Sequence, residues 1–391
     1  MNTNRSIPKR VIFRCLQAAV GVLAGLVLFE AGLRVLLAVG NGRRGNLHDQ
    51  LEKARHTTLG PARGDLSLGA LVQPSAFPDV VYDLKPGLRG LFLSRDVSIN
   101  SVGLRGPECA LAKPAGTFRI AGLGDSVMFG WGVADEETYL RRFEKALNDA
   151  PAPHPRFEVL NFAVPGYNTA LEAAVLERKA MAFQPDLVVI HFVNNDFDVP
   201  SYMLRAEDPW TLKKSFLAQL IRARLRGGGD GDGSAEFGLV ETRGADRRRV
   251  LEPYAGMVGA AGYSNAMARV AAVTHPRKIP VIILLGSRTP EQARIIPETA
   301  RRYGFHLVDV RPFTDEFVRR EGIEDTRQAR RKALQLSAKD PHPTARAHGI
   351  YVEALLDQLR RMGIAALPQA DTRAAPPAPT SLPTPTGGEA P

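Results

Sequence analysis

Cysteine is nearly absent from the 391 residues: Cys15 lies in an apolar N-terminal stretch and Cys109 far downstream. No Cys/His spacing has the form of a zinc site, so no metal is expected. A membrane between the two thiols, argued below, speaks against an internal disulfide, and the cysteines do not fix the compartment. Internal repeats are also lacking, which excludes a solenoid or array. So is any nucleic-acid motif, although the net charge is +10. The basic residues do not line a helix face. Arg5, Lys9, Arg10 and Arg14 crowd the first fourteen residues, which hold no acid, and Arg247, Arg248 and Arg249 form a second cluster. No nucleic-acid partner is expected, since solvated surface charge or contact with anionic lipid or polysaccharide accounts for this distribution. The apolar share of 44% is that of an ordinary folded chain.

One long apolar run is present. From Val11 to Phe29 only Arg14 and Gln17 interrupt it, and Glu30 and Arg34 precede a further apolar stretch to Val39. A bilayer core needs about 20 apolar residues in a helix. The run meets that length if Arg14 snorkels to the interface. The basic residues before it predict a cytoplasmic stub (1–10), a transmembrane signal-anchor (11–39) and an exported remainder. The rival is a signal peptide cleaved after the small residues Ala38-Val39-Gly40. Glu30 and Arg34 sit awkwardly for it, between the apolar core and that site. A buried core helix leaves the one-sided basic flank unexplained.

Residues 40–75 are polar and irregular and read as a tether. Strand-like and turn-like pieces over 76–116 form an N-terminal extension, and from Thr117 the pattern alternates strand and helix. Apolar strands are expected at Phe118–Leu123, Phe157–Asn161, Leu187–Phe192, Ile279–Leu285 and Phe305–Asp309. Helices are expected at Glu137–Asn148, Asn168–Met181, Tyr263–His275 and Pro290–Tyr303. In Asn168–Met181 the apolar face is Leu171, Ala174 and Val175. Thr344 is placed to cap a last helix with Val352, Leu355, Leu356 and Leu359 on one stripe. Five strands alternating with helices imply an α/β three-layer sandwich, a mostly parallel five-stranded sheet covered on both faces, over residues 117–365. An insertion at 197–255 breaks the alternation. It carries an amphipathic stretch, Ser215–Arg226, and a Gly/Asp-rich segment, and reads as a lid or substrate wall, or as a surface loop. The Pro/Ala/Thr-rich tail, 366–391, reads as disordered.

In such sheets sites form at the carboxyl ends of the strands. The first strand runs into Gly124-Asp125-Ser126, which offers a serine nucleophile in need of a base. The second is followed by Gly166 in Val164-Pro165-Gly166-Tyr167-Asn168, where a backbone N–H can approach a reacting oxygen. The third runs into Asn194-Asn195-Asp196, whose side-chain amide can donate to an oxyanion. Asp340-Pro341-His342, before the last helix, offers a base and its orienter. His191, inside a strand, and His348, inside the last helix, read as structural. Each piece alone is an ordinary turn, and the weight lies in their order along the chain.

In that order the sequence resembles the SGNH hydrolases, named for Ser, Gly, Asn and His, over roughly residues 117–362. The matching residues are Ser126, Gly166, Asn195 and His342, with Asn195 preferred over Asn194 because Asp196 follows it. The stretch Ser98–Gly106 and the anchor ending Phe29-Glu30-Ala31-Gly32-Leu33-Arg34 resemble the membrane-anchored bacterial branch. The resemblance implies an SGNH/flavodoxin-like fold. It also implies a serine esterase in which Ser126 attacks, His342 takes its proton, Asp340 orients His342, and Ser126, Gly166 and Asn195 supply oxyanion donors. No cofactor is implied. The sequence departs from the family pattern at Val193 and Ala163, where glycine is frequent, and at Lys339, where the acid often stands. Substrates implied are ester-bearing small molecules, lipids or acylated glycans of the cell envelope. An O-acyltransferase for surface polysaccharide and a non-catalytic glycan-binding protein are the alternatives. The sequence does not disclose whether the protein works alone or with a protein partner.

Overall fold

The computed structural model describes residues 9–40, 65–150, 154–204, 210, 215, 217–218, 239–241 and 254–364. Most of the expected tether, most of the insertion with its amphipathic and Gly-rich stretches, and the expected tail lie outside the described residues.

Helix α1 spans Lys9–Gly40. Its segment Leu16–Val35 has a mean hydropathy of 1.9 and no buried residue, so its length and composition suit a membrane-crossing helix or a signal sequence. The two charges that interrupt it neutralise each other: Arg34 and Glu30, one turn apart, form an ion pair of 2.7 Å. Glu30 also accepts hydrogen bonds from Ser215 Oγ (3.0 Å) and Leu217 N (2.7 Å), which ties the insertion to this helix.

Structure resumes ahead of residue 76. A single turn, α2 (Leu68–Leu71), leads into β1 (Val72–Pro74), which pairs antiparallel with β2 (Tyr82–Leu84). A hairpin of β3 (Arg89–Phe92) and β4 (Arg95–Ser98) follows. The central sheet begins with β5 (Thr117–Gly124), then α3 (Ser126–Phe129) and α4 (Tyr139–Asn148). Next come β6 (Arg156–Asn161), α5 (Thr169–Arg178) and β7 (Leu187–Phe192). Strands β8 (Tyr202–Leu204) and β9 (Leu239–Glu241) pair with each other outside that sheet. The chain then forms α6 (Gly259–Thr274), β10 (Val281–Leu285), α7 (Pro290–Arg302) and β11 (His306–Asp309). It ends in α8 (Arg311–Arg320), α9 (Arg327–Leu334) and α10 (Ala345–Arg361).

The five sheet strands lie in the order β11-β10-β7-β5-β6, every neighbouring pair parallel. Helices α5, α6 and α7 touch one another in one layer, and α4, α8, α9 and α10 make up the other. Both faces are therefore covered, which is why β7 and β10 bury every residue and read as unbroken apolar runs. Side chains mark several helix starts. Asn168 accepts from Leu171 N, Thr344 from Ala347 N, and Thr289 with Gln292 forms a reciprocal capping box.

Besides the ordered residues 68–74 in the expected tether, two features depart from the sequence expectations. Helix α5 is shorter than Asn168–Met181 and is buried from Thr169 through Leu176, Glu172 included, instead of on one face. It is pressed between the sheet and α6, so small residues line its sides as well as its inner face. Helices α8 and α9 were not anticipated, because their charged sequences carry only a narrow apolar stripe.

Candidate active site

With the sheet's own strands taken in chain order, the arrangement is 2-1-3-4-5, and the chain reverses direction between β5 and β7. In doubly wound sheets a crevice opens at that point. Ser126 follows β5 and Asn195 follows β7, in a short turn of 3₁₀ helix (Asn194–Phe197). Gly124 brings the Gly-Asp-Ser turn close to its own helix: a Cβ there would stand 2.7 Å from Met128 Cβ and 3.4 Å from His191 Cβ. Asp125 caps α3 by accepting from Val127 N (2.9 Å).

Four of the five expected residues are joined by hydrogen bonds. His342 Nε2 lies 2.8 Å from Ser126 Oγ, and His342 Nδ1 lies 2.6 Å from Asp340 Oδ1. With the ring proton on Nδ1, the imidazole donates to Asp340 and Nε2 is free to accept the serine hydroxyl. Asp340 Oδ1 also accepts the His342 backbone N–H (3.1 Å). Partial burial raises the Asp340 carboxyl. The two bonds from His342 and one from Trp131 outweigh that and hold it below the usual carboxylate range. Asn195 Nδ2 donates to Asp125 Oδ2 (3.2 Å), the oxygen that also lies 3.1 Å from Ser126 Oγ.

Gly166 stands on the turn after β6, and no hydrogen bond among the described residues joins it to the other four. The chain needs glycine there for its own reasons. Its φ is +80°, and a Cβ would overlap the side chain of Ser201, whose N–H donates to Gly166 O (2.8 Å).

The two structural histidines are where the sequence placed them. His191 and His348 are fully buried, and burial lowers both to about 3, so both are neutral. His191 Nδ1 pairs with Tyr139 Oη (2.9 Å), and His348 Nδ1 accepts from Tyr139 N (3.0 Å). Asp309, a conceivable alternative orienter, is held by Arg288 (2.6 Å) and Arg311 (2.7 Å). Partial burial pushes its carboxyl up, but hydrogen bonds from Arg311 and Arg288 outweigh this and bring it to about 2.

Sequence reasoning missed three contributors. Asp125 links Ser126 to the Asn195 amide, and its place inside the Gly-Asp-Ser turn was the available signal. Burial raises its carboxyl. Trp131 stacks on the His342 ring (centroids 4.8 Å, planes 20° apart) and donates from Nε1 to Asp340 Oδ2 (3.1 Å). Arg105 is buried behind the Trp131 turn. Arg105 lies in the Ser98–Gly106 stretch that resembles the membrane-anchored branch, but nothing in that stretch points to this contact, and no sequence signal marks Trp131. Beneath the site Glu172 is 1% exposed, neither of its oxygens has a hydrogen-bond partner among the described residues, and burial first, then the charge of Asp125, raises it well above the usual carboxylate range.

Residues 123–350, more than half the chain, match the model of the GDSL-like lipase/acylhydrolase family. Among solved structures, TesA aligns with 16% identity over 62% of this chain and 99% of that one, with a TM-score of 0.36. Axe2, an acetylxylan esterase from Geobacillus stearothermophilus, aligns with 15% identity over 63% and 94%, with a TM-score of 0.38. LAE5, an α/β hydrolase from the metagenome of Lake Arreo, Spain, aligns with 15% identity over 63% and 95%, with a TM-score of 0.38. No curated protein sequence matches the chain. The chain belongs to the GDSL-like lipase/acylhydrolase family and is a hydrolase acting on ester bonds.

Proposed function

We propose that the protein is a membrane-anchored serine esterase of the cell envelope that works through a covalent acyl-enzyme. The observation that carries this reading is the unbroken contact from Asp340 Oδ1 through His342 to Ser126 Oγ, at 2.6 and 2.8 Å. His342 Nε2 takes the hydroxyl proton as Ser126 Oγ attacks the ester carbonyl. Asp340 keeps the other ring nitrogen protonated and stabilises the imidazolium. The backbone N–H groups of Ser126 and Gly166 and the Asn195 amide receive the oxyanion. The imidazolium returns its proton to the departing alcohol. Water, deprotonated by His342, then attacks the acyl-serine; the acyl–Oγ bond breaks as Ser126 Oγ takes the proton back from His342, and the acid leaves.

The exposed apolar face of α1 and the basic residues before it support a single-pass anchor with a cytoplasmic N-terminus and an exported catalytic domain. The substrates that suit this placement are acylated lipids or glycans of the envelope. The reading is tested by turnover of short-chain and long-chain esters by full-length protein in detergent, with and without sugar acceptors. Hydrolysis that is lost in Ser126→Ala supports the esterase. Acyl-sugar formed at the expense of free acid would make the protein a transferase instead. An alkaline phosphatase fusion after residue 60 should be active, and a silent fusion would overturn the orientation.

A further inference from the structure

The family match begins at residue 123, yet the described chain begins its folded part at residue 65. One buried side chain of that extension reaches the candidate site. Arg105 is 4% exposed and bridges backbone-to-backbone with Asn161 of edge strand β6. Its guanidinium donates from Nη1 to Phe129 O (2.8 Å) and Gly130 O (2.6 Å), and from Nη2 to Val133 O (2.6 Å). Nε donates to Asp135 Oδ1 (2.7 Å), and Asp135 Oδ2 accepts from Ser98 N (3.0 Å) at the end of β4. A planar fork with fixed donors thus holds three carbonyls of the turn that follows the nucleophile helix.

That turn carries Trp131. Its N–H donates to Ser126 O (3.0 Å), and Phe92 of β3 meets the indole edge-on (4.8 Å, 89°). The indole also lies flat on the His342 imidazole, and Nε1 donates to Asp340 Oδ2, the oxygen His342 does not use. The loop bearing His342 belongs to no strand of the sheet, so these side-chain contacts fix the ring plane that points Nε2 at Ser126. We infer that Trp131, set in place by Arg105 and Phe92 of the extension, is a positioning residue for the His342–Asp340 pair, and that the extension is a working part of the active site. The inference rests on the assignment of His342 and Asp340 made above. A turn that merely packs would need neither the indole N–H on Asp340 nor the face-to-face stack.

The test uses full-length protein. The sequence holds two tryptophans, so Trp210→Phe leaves Trp131 as the one reporter. The His342 ring stacked on the indole quenches its emission, so Trp131 fluorescence should rise in His342→Ala. Emission unchanged in that variant would overturn the stack. Measured also in Ser126→Ala, this signal reads the Trp131–His342 contact even if the catalytic assignment fails. In turnover, Trp131→Phe keeps an aromatic ring but loses the Nε1–H. It should lower kcat about tenfold while KM stays within about twofold. In an Asp340→Asn background the same change should cost less than about twofold, because it acts through that carboxylate. Fold-losses that multiply would contradict the inference. Arg105→Lys should lower kcat and weaken the quench together, and a loss of kcat with the quench intact would remove Arg105 from the argument. If Arg105→Lys fails to fold, the Trp131→Phe cycle and the quench decide.

Discussion

Ser126 and His342 reach the same point by different routes. Ser126 stands at the end of β5, which is hydrogen-bonded on both sides to β6 and β7, and its side chain and neighbours are almost wholly buried. His342 stands on a loop between α9 and α10 with its side chain 23% exposed. One bridge, Gln335 to Pro343, ties the ends of that loop together. The nucleophile is placed by backbone ladders and close packing, which involve dozens of atoms. His342 is placed by two backbone hydrogen bonds across its loop, Leu336 N to His342 O and Thr344 N to Leu334 O (both 2.9 Å), and by Asp340, Trp131 and the Trp131 turn. Substitutions near β5 should therefore cost stability first, and substitutions around the His342 loop should cost rate first.

The largest effects are expected where the two routes meet. Ser126→Ala and His342→Ala should each lower kcat by roughly 10⁴–10⁶, because nucleophile and base act as a unit, with the circular dichroism spectrum unchanged. Asp340→Asn should be milder, roughly 10²–10⁴ in kcat, since an orienter contributes less than the base it holds. Full activity in that variant would show that the loop does not depend on this carboxylate. Asn195→Ala should cost about 10²–10³ in kcat with little change in KM, as for one lost oxyanion donor.

On the sheet side the readout changes from rate to stability. A methyl group at Gly124 would meet Met128 Cβ at 2.7 Å, an atom next to the backbone that cannot swing away. Gly124→Ala should destabilise the protein by about 1–3 kcal/mol in denaturant unfolding. The smallest expected effect concerns Glu172. Its carboxyl is raised by burial and by the charge of Asp125, so the native state binds its proton more tightly than the unfolded chain does. That contribution is complete below the unfolded carboxyl's ordinary range and declines as pH rises from there toward the raised native value. Glu172→Gln, which mimics the protonated form, should raise Tm by about 2–4 °C at pH 8, with the difference closing toward pH 4. An equal difference at both pH values would mean that Glu172 does not titrate between the two states.

The same contrast explains what the sequence could disclose. Apolar runs such as Leu187–Phe192 and Val281–Leu285 announce buried parallel strands, because covering both faces demands them, and Leu187–Phe192 matched residue for residue. Ser126, Asn195 and the Asp340–His342 pair were legible because a strand end or a short spacing places them locally. Helices α8 and α9 were hidden by their charges, which are satisfied by ion pairs such as Arg330 with Asp315 and Asp325 that periodicity does not see. Trp131 and Arg105 were hidden for a further reason. Their partners at Asp340 and Val133 are set by tertiary packing, and an isolated Trp or Arg in a sequence carries no mark of what it will touch. Gly166 was expected as an oxyanion donor, but its positive φ and the Ser201 contact already require glycine at that position.

The central claim is that Ser126 is a nucleophile activated by His342. Intact-mass and peptide mass spectrometry after brief exposure of the full-length protein to a fluorophosphonate tests it most directly. The account predicts a single covalent adduct on the peptide containing Ser126, formed much more slowly in His342→Ala and absent in Ser126→Ala. An adduct on another residue, or labelling of Ser126 at the same rate without His342, would contradict it.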